Sequence, residues 1–312
     1  MRIIFMGTPD FATGTLQALY DAGHKIVLAV TQPDKPAGRG KNLQSPPVKV
    51  LAEELGIPVY QPVKVRDPEA LDTLRTQKAD IMVVVAFGQI LPKEVLEMTP
   101  YGCINVHASL LPAWRGAAPI QWSILAGDKV TGVTTMQMDE GLDTGDMLLQ
   151  KEIAIEPDET GGSLFDKLAQ EGAALCVETL AQLEAGTVKP VPQGKTTTPY
   201  AKMLDKKMGR IDWSKPAAET ERLIRGLSPW PGAYTFRGDK MLKIKKAALG
   251  GAPKEKKKIS PGGIAAEKGR LFVRTGGKGW IEITELQPAG KRSMTADEYL
   301  RGKPAQAGEA LG

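Results

Sequence analysis

Three side chains in this sequence are of the types that general acid-base chemistry uses: Asn105, His107 and Asp143. An amide donates hydrogen bonds, an imidazole exchanges protons near neutral pH, and a carboxylate accepts a proton or orients the imidazole. Asn105 and His107 stand two residues apart in Asn105-Val106-His107-Ala108-Ser109-Leu110-Leu111-Pro112, behind the apolar lead-in Gly102-Cys103-Ile104. That lead-in predicts a buried strand, and side chains alternate faces along a strand. Asn105 and His107 then share one face at the strand's carboxyl end, where open α/β sheets bind their ligands. Asp143 lies in the turn Gly141-Leu142-Asp143-Thr144-Gly145-Asp146 and completes the group. The other histidine, His24, belongs to a Gly-His-Lys turn, so histidine-dependent proton transfer falls on His107.

The elements that must position these groups follow from the apolar periodicity. Strands are expected at residues 2–6, 25–30, 57–60 and 80–86, and at the Asn105 segment. Helices are expected at 11–22, from Val48 onward, at 68–76, from Pro92 to Met98 and at 117–126. Residues 131–139 and 147–155 read as two strands paired around Asp143, and 163–185 as a helix that ends at Gly186. Alternating strands and helices predict a Rossmann-like parallel sheet covered on both faces. The first turn, Gly7-Thr8-Pro9-Asp10, lacks the G-x-G-x-x-G that a pyrophosphate requires, which argues against a nicotinamide cofactor. Residues 31–47 read as a long irregular loop holding Lys35, Arg39 and Lys41, and loops of that length are usually functional or disordered.

A Pro/Thr/Lys-rich stretch predicts a linker at 189–207 between a catalytic domain, 1–188, and a C-terminal domain, 208–312. Short strands at 241–247, 270–275 and 280–286, with turns at Gly269, Gly276 and Gly277, predict a small β-barrel there. The charge divides in the same way. Residues 1–194 carry 16 Lys and Arg against 24 Asp and Glu, and residues 195–312 carry 25 against 12. A basic last third suits a polyanionic partner.

Other classes are set aside by composition. The 312 residues contain no apolar run of the length a membrane helix needs, about 18 residues. Met1-Arg2 leads straight into Ile3-Ile4-Phe5-Met6 with no cleavage site, so a cytoplasmic protein is expected. Cys103 and Cys176 sit in apolar contexts and make no metal or redox pattern. The acidic cluster Asp139, Glu140, Asp143 and Asp146 lacks the calcium-loop spacing and has no His-rich neighbour, so the site is expected to work without a metal.

The run from Asn105 through Ser109-Leu110-Leu111-Pro112 to Arg115-Gly116, followed by Asp143-Thr144-Gly145, resembles the signature of the folate-dependent formyltransferases. Phe5-Met6-Gly7-Thr8-Pro9-Asp10-Phe11-Ala12, Pro36-Ala37-Gly38-Arg39-Gly40-Lys41 and Leu227-Ser228-Pro229-Trp230-Pro231-Gly232-Ala233 resemble the branch that formylates methionine carried on initiator tRNA. The resemblance runs over nearly the whole chain.

It implies 10-formyltetrahydrofolate as formyl donor, initiator Met-tRNA as acceptor and an oligonucleotide-binding-like C-terminal barrel; a monomer is expected. Asn105 would donate to the formyl oxygen as it gains charge. His107 would donate to the same oxygen or carry a proton to the leaving nitrogen, and Asp143 would orient His107 or accept the amine's proton. The sequence leaves these last roles open. Ser109, Leu110, Leu111 and Pro112 would line the folate pocket, with Val85, Ala86 and Phe87 as its apolar wall. Arg39 and Lys41 would meet tRNA. The competing readings are a different acceptor amine on a sugar or glycinamide nucleotide, hydrolysis of the formylfolate, and an RNA-binding protein without activity.

Overall fold

Ile81–Val85 is apolar and buried along its whole length, as a strand covered on both faces must be. It is the centre of the first of two compact units in a computed structural model that describes residues 1–37, 42–254, 259–306 and 308–312. One unit comprises 1–119, 130–154 and 165–201; the other comprises 120–129, 155–164 and 202–312.

The strands of the first unit are β1 (Arg2–Gly7), β2 (Lys25–Val30), β3 (Lys35–Ala37), β4 (Asn42–Gln44), β5 (Val59–Tyr60), β6 (Ile81–Val85), β7 (Cys103–His107), β8 (Val130–Gln137) and β9 (Met147–Ala154). Seven of them form one sheet in the order β5-β2-β1-β6-β7-β8-β9. The first five run parallel, as the helical crossovers between them require. β8 and β9 are antiparallel, each to the strand before it in the sheet order, so the Rossmann-like sheet is mixed rather than wholly parallel. Residues 138–146 are too short for a crossover, and β8 and β9 therefore return on each other as a hairpin around Asp143.

The helices α1 (Asp10–Asp21), α2 (Pro47–Glu54), α3 (Pro68–Thr76), α4 (Lys93–Leu96), α5 (Pro119–Ala126) and α6 (Gly161–Glu184) follow the expected order. Close packing of α6 depends on a glycine: a Cβ on Gly172 would stand 2.9 Å from Val106 Cγ1. Seven residues further along α6, Thr179 Oγ1 meets Thr135 Oγ1 at 2.7 Å. Val106 and Thr135 are cross-strand partners and so point to one face of the sheet, which α6 covers. Cys103 and Cys176 are both buried, and burial pushes each thiol up to about 12.

Part of the span expected to be irregular, 31–47, is ordered. β3 and β4 form an antiparallel ribbon pairing Lys35 with Gln44 and Pro36 with Leu43. Three-residue strands, one of them holding a proline, carry no readable period, which is why the pattern concealed them. Asp34 ties the base of the ribbon together, accepting from Gln61 Nε2 at 2.8 Å, Lys49 Nζ at 2.9 Å and Ser45 Oγ at 3.3 Å. Residues 38–41, with Arg39 and Lys41, lie outside the described residues, as do Lys256, Lys257 and Lys258.

The second unit contains α7 (Ala217–Gly226), β10 (Ala233–Arg237), β11 (Lys240–Ala248), β12 (Ile264–Glu267), β13 (Arg270–Arg274), β14 (Trp280–Pro288), β15 (Met294–Thr295) and α8 (Ala296–Gly302). The expected strands are β11, β13 and β14; β10, β12 and β15 extend them into an antiparallel sheet ordered β10-β11-β14-β13-β12, with β15 beside β14. Leu242, Ile244, Leu271, Val273, Ile281 and Ile283 alternate inward to form its core.

The last residues cover both edges of this sheet. Ile264 N–H donates to Glu309 O and Leu311 N–H to Gly262 O on one side, while Gly312 N–H donates to Phe236 O on the other. Edge strands are thereby closed toward a small barrel. A part-buried ion pair fixes this closure: Arg237, 4% exposed, holds both carboxylate oxygens of Glu309 and donates to the carbonyls of Lys303 and Pro304. The Arg237 guanidinium holds the Glu309 carboxyl below its ordinary range. A carboxylate whose folded-state pKa is depressed stabilises the fold above its unfolded pKa, about 4.3, and loses that contribution as pH falls through the folded value. Melting temperature should therefore fall more steeply below about pH 4.3 in the native chain than in Glu309→Gln, which starts lower and lacks this titration. Parallel acid limbs in the two proteins would assign the pair no such role.

Candidate active site

β7 ends at His107, and its register with β8 sets Asn105 opposite Met136 and His107 opposite Thr134. Because Val106 and Thr135 occupy the face under α6, Asn105 and His107 occupy the other. Asn105 is half-buried, and among the described residues its side-chain amide takes part in no hydrogen bond. His107 is buried, with Nε2 at 3.1 Å from the Trp114 carbonyl. A carbonyl only accepts, so Nε2 carries the hydrogen.

The other ring nitrogen, Nδ1, stands 3.8 Å from Asp143 Oδ1, a charge-pair distance longer than a direct hydrogen bond. Asp143 Oδ2 accepts the Gly116 N–H at 2.8 Å. Asp143 itself has φ +55°, the left-handed region, where a short polar side chain is tolerated and most others are strained. The structure thus brings Asn105, His107 and Asp143 to one sheet end, with each carboxylate oxygen given a separate partner.

Ser109–Pro112 leaves β7 as a turn with a cis Leu111–Pro112 bond. Thr134 anchors it: its hydroxyl donates to Ser109 O at 2.7 Å and accepts from Leu111 N–H at 3.1 Å. Gln150 Nε2 adds a bond to Leu111 O at 2.9 Å. Ser109 and Leu111 are buried, whereas Leu110 and Pro112 are half-exposed. Val84 pairs with Asn105, so the chain after β6 emerges at the same end of the sheet. There Val85 and Phe87 point into the core, while Ala86, at φ +48°, is exposed. Thr8 Oγ1 and Gln32 Nε2 both donate to Phe87 O, fixing this loop from β1 and β2.

Asp139 spends its carboxylate on the Gly141 N–H and the Thr144 hydroxyl. Among the described residues no group of His, Cys, Asp or Glu is arranged to hold a metal ion.

Sequence models of known families match this chain in two blocks: formyl transferase over residues 1–180, and the formyl transferase C-terminal domain over residues 203–304. The chain belongs to the formyltransferase family. Methionyl-tRNA formyltransferase of Agathobacter rectalis is 54% identical over 303 residues, covering 97% of this chain and 96% of that protein. The same-named protein of Lachnospira eligens is 51% identical over the full length of both. In fold, this chain resembles WlaRD, a sugar 3N-formyl transferase, with TM-score 0.67 and 18% identity over 94% of this chain and 99% of that one. It also resembles HypX of Aquifex aeolicus, with TM-score 0.61 and 18% identity over 98% of this chain and 48% of that one.

The candidate site includes residues that periodicity did not point to. The stretch expected as linker begins at 189, yet residues 191–201 pack within the first unit. Val191 exchanges backbone hydrogen bonds with Met147, and Ala201 with Arg115 and Ala117. Between these anchors, Thr198 Oγ1 accepts the Trp114 N–H at 2.7 Å, and Gln193 contacts both Arg115 and the Asp143 turn. Tyr200 lies close enough to Gly116 that a Cβ there would stand 2.8 Å from the Tyr200 ring. Burial, and then the charge of Asp143, push the Tyr200 hydroxyl upward. A Pro/Thr-rich segment satisfies its backbone through loop contacts rather than a ladder, so it reads as a linker even where it packs.

Proposed function

We propose that this formyltransferase transfers the formyl group of 10-formyltetrahydrofolate to the α-amine of methionine on initiator tRNA. The observation that carries the reading is identity above half over nearly the full length of proteins named for that reaction, with Asn105, His107 and Asp143 gathered at one sheet end.

In this reading Asn105 supplies the hydrogen bond to the formyl oxygen, since its amide is uncommitted among the described residues. His107 Nε2 is spent on Trp114, and Nδ1 faces Asp143. His107 and Asp143 act as one proton-handling pair, taking the proton the attacking amine must lose and returning one toward the leaving nitrogen. Ser109–Pro112 and the exposed backbone at Ala86 form the folate wall, with Val85, Phe87 and Leu111 as the core beneath it. The chain divides into a catalytic domain, 1–188, a connecting segment, 189–207, and a basic tRNA-binding domain, 208–312. It works in the cytoplasm as a monomer.

Product analysis tests the reaction. Formyl recovered on the aminoacyl ester supports it; free formate as the main product would put water in place of the amine.

Arg39 and Lys41 are the residues of the 31–47 span proposed to meet tRNA. Gly38 and Gly40 flank Arg39 in the sequence, and a planar guanidinium suits a phosphate or a splayed base. Arg39→Ala should reduce formylation of Met-tRNA sharply while folate affinity, measured without tRNA, stays unchanged. A parallel loss of folate affinity would move Arg39 to the donor pocket, and wild-type activity would remove it from the site.

A further inference from the structure

Gln193, in the 191–201 strap, hydrogen-bonds to both loops that flank the proton-handling pair. Its Oε1 accepts from Arg115 Nε at 3.0 Å and from Arg115 Nη2 at 2.7 Å. Its Nε2 donates to Asp143 O at 3.0 Å and to Gly145 O at 2.7 Å. The amide can face only one way. A guanidinium offers donors alone and two carbonyls offer acceptors alone, so oxygen must meet Arg115 and nitrogen must meet the turn.

These contacts set the position of a carboxylate that Gln193 does not itself touch. Asp143 is held at φ +55°, and the Gln193 bonds to the carbonyls on either side of Thr144 fix that turn. Arg115 precedes Gly116, whose N–H orients Asp143 Oδ2. Gln193 therefore fixes the Asp143 backbone from one side and the residue that aims its carboxylate from the other. What remains for Oδ1 is the approach to His107 Nδ1 at 3.8 Å.

We infer that Gln193 is a positioning residue for formyl transfer, acting through Asp143, and that the strap carrying it is part of the active site rather than a passive connection. The inference rests on the proposed role of Asp143. A glutamine is suited to this place because it joins an obligate donor to obligate acceptors, which neither a carboxylate nor an apolar side chain of similar length can do.

Gln193→Met keeps the volume and loses the four bonds to Arg115, Asp143 and Gly145. Gln193→Glu keeps the pairing with Arg115 but turns a carboxylate oxygen toward the carbonyls of Asp143 and Gly145. Both variants should lose kcat by about 10²-fold, the scale expected when a reacting group is misplaced by about 1 Å, with KM for the folate donor unchanged. In a double-variant cycle, adding Gln193→Met to Asp143→Asn should lower kcat little further, because the two act on one step.

Wild-type kcat in Gln193→Met would overturn the inference. So would wild-type kcat in Gln193→Glu, should the methionine variant fail to fold, and so would losses that multiply in the double variant. If Asp143→Asn retains wild-type turnover, the proposed role of Asp143 falls and the inference falls with it. If Asp143→Asn loses turnover and the Gln193 variants do not, the inference falls alone.

Discussion

Asn105→Ala and His107→Ala are each expected to lower turnover by at least about 10²-fold, the usual effect of removing a preorganised group that meets developing charge. Their stabilities should differ. Asn105 uses its amide in no hydrogen bond among the described residues, so the alanine variant should melt close to wild type. His107 is buried and donates to the Trp114 carbonyl, so its loss removes that bond at a cost of about 0.5–1.5 kcal/mol, besides the packing of the ring. Steady-state kinetics and thermal melts on the two purified variants check both halves. Near-normal turnover in a folded variant would remove that residue from the catalytic assignment, and a large loss of stability in Asn105→Ala would give it a structural role instead.

Gly145→Ala should be nearly as damaging to turnover, by displacement. A Cβ there would stand 1.8 Å from Gln137 O and 3.4 Å from Asp139 N. The first approach is far inside contact distance, and it is to backbone that cannot rotate aside as a flexible side chain would. The turn must therefore move away from the end of β8. Asp143 is two residues away and belongs to the same turn, so a shift of about 1 Å there can cost about 10²-fold in rate. Overpacking of this kind also costs about 1–3 kcal/mol in stability. Kinetics and melting of Gly145→Ala should show both losses. Wild-type turnover would mean that the turn absorbs the methyl without moving Asp143.

Much of the site was legible because its parts obey short-range rules. Ile104 and Val106 alternate with Asn105 and His107, and alternation on a strand assigns faces whatever the rest of the chain does. Asp143 was legible as the turn between two strand-like segments. The contacts that adjust the site were not legible, since they depend on residues far apart in sequence. Gln193 reaches across 78 positions to Arg115, and nothing periodic marks it. Thr134 looks like any threonine in a strand, although its hydroxyl serves both Ser109 and Leu111. In the second unit β11, β13 and β14 announce themselves by alternation, whereas β12 is four residues long beside glycines and a lysine run. The backbone hydrogen bonds by which residues 309–312 close the sheet leave no imprint on side-chain pattern.

The most direct measurement follows a labelled formyl group from 10-formyltetrahydrofolate, using the full chain with methionyl initiator tRNA, with the same tRNA deacylated, and with no tRNA. Label is expected on the methionine amine with the charged tRNA alone, with little release of formate in the other two reactions. Formate released at the same rate in all three, or label transferred equally well to a small amine without tRNA, would contradict it.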